Sequence, residues 1–117
     1  MDVKQFYTAI NGNYEEALSR LMMDSIIEKF LVKFKNTQKL DGLIDAVNAY
    51  DLDKVFAEAH TLKGVALNLA LAPLAEASST LTEMLRGDNK LTAQKENVLK
   101  AFNEVQKQYQ IVIDNID

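Results

Sequence analysis

The sequence predicts an all-α chain. It reads as an antiparallel four-helix bundle with additional short N-terminal helices, one domain over residues 1–117. Three observations carry this. Apolar residues recur at steps of three and four in several long stretches, which turns one helix face to a core. No stretch alternates with period two over a useful length. One proline and four glycines leave room for long helices and little for a turn-rich β fold.

Val3, Phe6, Tyr7 and Ile10 fit one side of a short opening helix. Asn11-Gly12 marks a turn. Asn13, with Glu16 three residues on, reads as an N-cap with its capping-box partner. The short helix that follows turns Tyr14, Ala17, Leu18 and Leu21 inward, and Met22 and Met23 read as flexible core filler. Ser25 with Glu28 reads as a second capping box. The helix after it presents Ile26, Ile27, Phe30, Leu31 and Phe34 to the core, with Lys29, Lys33 and Lys35 as a solvated face. Leu40, Leu43, Ile44, Val47 and Tyr50 make the next amphipathic helix.

Asp51 is the expected N-cap of a central helix running from Leu52 to Ala70. Its seam is Leu52, Val55, Ala59, Leu62, Ala66 and Leu69, the steps of a left-handed bundle. Pro73 fits the first turn of the following helix, which turns Leu74, Ala77, Leu81 and Leu85 inward. Gly87 is placed just past its end. Thr92 is the expected cap of the last helix, whose seam runs Val98, Phe102, Val105, Tyr109, Val112 and Ile116. The four bundle helices are those of Phe34, His60, Leu81 and Phe102.

Composition excludes several function classes. Net charge is −4, which gives no basic footprint for nucleic acid. No apolar run approaches the ~20 residues of a membrane span, and the N-terminus lacks a signal-peptide core. A cytoplasmic domain standing alone is expected, and a monomer, because the seams can be satisfied internally. The absence of cysteine removes disulfides and thiolate metal sites. With one histidine and no Glu-x-x-His pair, a di-iron or haem bundle has no ligand set. No glycine-rich phosphate loop suggests ATP binding.

His60 lies beside the seam of the central helix, on the face it shares with Lys63 and Gly64, with Ala57 one turn earlier. A glycine inside a helix costs roughly 1 kcal/mol relative to alanine. A bare surface beside an imidazole gives that cost a purpose, because a partner can approach there. An exposed imidazole at neutral pH carries a free lone pair and serves as a nucleophile. Lys63, a cation on the same face, can hold an anion beside it.

His60-Thr61-Leu62-Lys63-Gly64, continued by Val65-Ala66-Leu67-Asn68-Leu69, resembles the signature of histidine-containing phosphotransfer (HPt) domains. The resemblance extends over Arg20–Phe34, Asp51–Leu71 and the helix after Pro73. It implies a helical bundle whose His60 accepts a phosphoryl group and passes it between receiver-domain aspartates. The chain is then a carrier and not an autonomous kinase or phosphatase. It implies no cofactor on this chain, with Mg²⁺ held by the partner receiver, and as partners a response-regulator receiver domain and/or a hybrid sensor histidine kinase. Gly64, Ala57 and Leu67 become docking candidates. Two positions depart from the family pattern: Ala70 stands where many members have glycine. Thr82, with Glu83 beside it, stands where a glutamine or glutamate often contacts the phosphoryl group, and its hydroxyl is a candidate to donate a hydrogen bond there. The alternative is a non-catalytic adaptor docking a receiver or other signalling partner through the same face. For Gly64 there is a packing alternative, the close approach of a neighbouring helix. Leu67, and Phe56 one turn before His60, have the edge of the histidine face or the core as their two places; core burial is expected for Phe56, and Leu67 is open between them.

Overall fold

Side-chain caps start three of the helices. Asp2 accepts from the Gln5 N–H (3.0 Å) to open α1 (Val3–Ile10), and Asn13 accepts from the Glu16 N–H (3.0 Å) to open α2 (Tyr14–Leu21). Then come α3 (Asp24–Thr37) and α4 (Asp41–Asn48). Asp51 accepts from the Lys54 N–H (3.3 Å) to open α5 (Leu52–Asn68). Leu71-Ala72-Pro73 leads into α6 (Ala72–Met84), a single turn α7 (Asn89–Thr92) follows, and α8 (Lys95–Asn115) is the longest helix. The computed structural model describes Met1–Asp117 and contains no strand.

The long helices α3, α5, α6 and α8 form the bundle, and the whole chain is a rod of 43 × 22 × 19 Å. The most extensive pairings are α5 with α6 and α6 with α8. Along α5, Phe56 meets Arg86 whereas Lys63 meets Glu83, so α5 and α6 run antiparallel. Phe34 and Tyr109 bring α3 against α8 with ring centroids 5.9 Å apart, and the Tyr109 hydroxyl donates to the Gln38 carbonyl at 2.6 Å. Helix α4 packs on α5. One continuous core unites them all, from Val3 in α1 to Ile116 after α8.

Several expectations need correction. Glu16 does not close a capping box; its carboxylate pairs with Arg20 at 2.6 Å. Ser25 is not a cap: α3 begins at Asp24, two residues earlier than a Ser25 cap requires, and Met23 at the cap position gives no side-chain hydrogen bond. Thr92 ends α7, and Gln94 is the N-cap position of α8. Met22 and Met23 are exposed, because Met22 ends α2 in the left-handed region (φ 75°) and carries both side chains off the core. Phe30 is 41 % exposed, at the margin of the α3 stripe. The central helix stops at Asn68. Ala70 adopts φ 54° and turns the chain so that its carbonyl accepts from the Asn13 N–H at 3.1 Å. Gly87, at φ 55°, supplies the left-handed residue after α6.

Candidate functional site

Helix α5 buries Val55, Ala59, Leu62 and Ala66. At 3.6 residues per turn, His60 then falls on the flank of that face, next to Ala57, Gly64 and Leu67. All four are exposed, and Leu67 is 47 % accessible. A Cβ added at Gly64 would meet no atom within 4 Å. The packing alternative for this glycine therefore fails: no neighbouring helix comes close, and the surface in front of it is open.

Phe56 is not a core residue. It is half-buried, and its ring lies parallel to the His60 imidazole, with centroids 5.8 Å apart and planes at 7°. The Arg86 guanidinium sits over the Phe56 ring, 5.2 Å from its centroid. Two hydrogen bonds fix Arg86 to Glu83, Nε to Oε2 at 2.8 Å and Nη2 to Oε1 at 3.1 Å. Glu83 also reaches Lys63, whose Nζ lies 3.5 Å from Oε1. Arg86, and then Lys63, holds the Glu83 carboxyl below its ordinary range. His60 and Lys63 are thus joined through Phe56, Arg86 and Glu83.

Thr82 does not belong to this surface. It is fully buried, and its hydroxyl donates to the Ser78 carbonyl at 2.7 Å. A side chain that faces the core and bonds within its own helix cannot reach a group on an exposed imidazole. The neighbouring position, Glu83, faces Lys63 instead. Glu58, near His60 in sequence, points across to α4, where a Cβ added at Gly42 would come within 2.9 Å of its carboxylate.

The residues missed by sequence reasoning are therefore Glu83 as an ion-pair partner and Arg86, while Phe56 takes the edge of the histidine face instead of the expected core. The spacing signals were present: Phe56 lies four residues before His60, and Arg86 three after Glu83. What was lacking was the register of α6 against α5. On the flanks of the site, Leu67, Glu76, Ser79 and Glu83 line a groove between α5 and α6 with Lys63. Phe30, Val65, Asn68 and Leu69 line another between α3 and α5. No helix is long and apolar enough to cross a membrane.

Comparison with known proteins agrees with this architecture. The family model described as the Hpt domain matches residues 28–114, which includes α4, α5, α6 and most of α3 and α8. No curated protein and no solved structure matches the chain. Hpt domains serve histidine phosphotransfer in phosphorelays, where receiver domains or histidine kinases are their partners. With most of its length matched and an all-α bundle to carry the match, the chain belongs to the Hpt domain family.

Proposed function

We propose that the chain is a phosphoryl carrier of a two-component phosphorelay, with His60 as phosphoacceptor. The observation that carries this is the exposed imidazole beside Gly64, where the surface is open to a docking protein. In the reaction, an imidazole nitrogen attacks the phosphorus of a receiver aspartyl phosphate. The N–P bond forms as the P–O bond to the aspartate breaks, and the carboxylate leaves with the electron pair. The reverse step passes the group to the next aspartate. Transfer of this kind needs positioning and charge more than covalent assistance from the carrier.

Within this reading Lys63 balances charge on the phosphoryl group. Ala57, Gly64 and Leu67 form the docking surface. Thr82 is left out of it. The Mg²⁺ that the chemistry calls for belongs to the receiver. The partner is a receiver domain, free or within a hybrid histidine kinase, meeting a monomeric carrier in the cytoplasm.

The test is label transfer. Incubation with phosphorylated receiver domains should place an acid-labile, base-stable phosphoryl group on the wild type and none on His60→Gln. If no receiver labels the wild type, the adaptor reading takes its place: a fold that docks a receiver without accepting phosphate.

A further inference from the structure

The cation nearest His60 in sequence already has a partner. Lys63 is the more covered member of its ion pair, with 23 % of its side chain accessible against 49 % for Glu83. Glu83 does not drift there on a free tether, because the two-bond grip of Arg86 sets the direction of its carboxylate. Arg86 in turn rests on Phe56, the ring that stacks on His60. A carboxylate therefore sits between the two cations and already engages Lys63, the lysine one turn from His60 on which an added anion would draw.

We propose that Glu83 competes with the phosphoryl group for Lys63 and so biases the carrier towards giving the group away. This rests on His60 being the phosphoacceptor. When a phosphoryl group is on His60, Lys63 is drawn to it and leaves Glu83. Arg86 keeps the Glu83 carboxylate in position, so a fixed negative charge stays close to the phosphoryl oxygens. Like charges near one another raise the energy of the loaded state. Its loss on transfer restores the Lys63–Glu83 pair. Thr82, buried and bonded to Ser78, offers the loaded state no compensating hydrogen bond.

The experiment measures how label divides at equilibrium between the chain and whichever receiver domain labels the wild type, at low and at high salt. Glu83→Gln keeps the side-chain length and removes the charge. At low salt it should raise the ratio of label on the chain to label on the receiver about three-fold, the scale of a surface charge interaction. The gain should shrink at high salt as the charges are screened. Glu104→Gln, an equal charge change on the exposed side of α8, should leave the share unaltered. An unchanged or smaller share in Glu83→Gln, or an equal rise in Glu104→Gln, would overturn the proposal while leaving His60 as acceptor. A wild type that never takes label removes the acceptor reading itself, which is a separate result.

Discussion

The Tyr7 hydroxyl donates to the Leu69 carbonyl at 2.7 Å and ties α1 to the end of the helix that carries His60. Tyr7 is 1 % exposed. Removing its hydroxyl strands a buried carbonyl, which costs about 1–2 kcal/mol. Tyr7→Phe should lower the urea midpoint accordingly. Burial pushes the Tyr7 phenol well above its ordinary value of 10.0. Because the folded value is the raised one, this contribution is complete below pH 10 and is lost as pH rises through the folded value. Tyr7→Phe should therefore show less alkaline destabilisation than the wild type.

Met22→Gly should stabilise the fold by about 0.5–1 kcal/mol, read from chemical denaturation. Met22 holds φ 75° and is 82 % exposed, so glycine relieves the left-handed strain with little burial lost. Ala70→Gly provides the contrast. Ala70 is also left-handed but only 4 % exposed, so the relief is offset by a buried methyl group and a freer unfolded chain. That variant should lie within about 0.5 kcal/mol of the wild type.

Gly64→Gln should separate stability from function. Nothing stands within 4 Å of the new Cβ, and glutamine favours a helix interior by roughly 0.5 kcal/mol or more over glycine. The melting temperature should rise. Phosphotransfer should slow by about ten-fold or more, because displacement at the reacting centre is costly in rate. Unchanged transfer would show that the receiver approaches from another side.

Ser78 sits fully buried in α6, and its hydroxyl has no hydrogen-bond partner. Its carbonyl is the group that Thr82 uses. An unsatisfied buried hydroxyl costs about 1 kcal/mol or more, so Ser78→Ala should be neutral to about 1 kcal/mol stabilising. A loss above about 1 kcal/mol would show that the hydroxyl finds a partner.

The Glu83 carboxyl should titrate below its ordinary value of 4.5 when followed by NMR. Its folded value is depressed, so its tie to Arg86 and Lys63 is complete above the ordinary carboxylate range and fades as pH falls through the folded value. Arg86→Ala should move that titration up, since Arg86 is the larger cause. Lys63→Ala should move it less.

Much of this molecule was legible in its sequence because periodicity reports burial directly. Val55, Ala59, Leu62 and Ala66 are at the core as their spacing requires, and the caps at Asn13 and Asp51 are local hydrogen bonds between near neighbours. The open face at Gly64 follows from the same helical geometry. The errors arose where two helices had to be set against each other. A one-residue difference separates Thr82 from Glu83, yet it turns a side chain from the core to the His60 surface. An apolar ring such as Phe56 reads as core; its stacking on His60 is local to α5, but the Arg86 guanidinium over it arrives only because the chain leaves α6 opposite the first turns of α5. Met22 and Met23 show the same limit. Their exposure depends on a left-handed turn at Met22 that no spacing rule announces.

The family pattern starts at residue 28, after α1 and α2 have ended. Yet Val3, Phe6, Tyr7 and Ile10 are buried in the common core, and the carbonyls of Leu69 and Ala70 are met from that side. A fragment trimmed to the recognisable boundaries would uncover an oily patch and two carbonyls at the base of the histidine-bearing rod. Recombinant work on this protein, or any swap of its core into another signalling chain, should keep the leading 27 residues, because what defines membership is shorter than what folds.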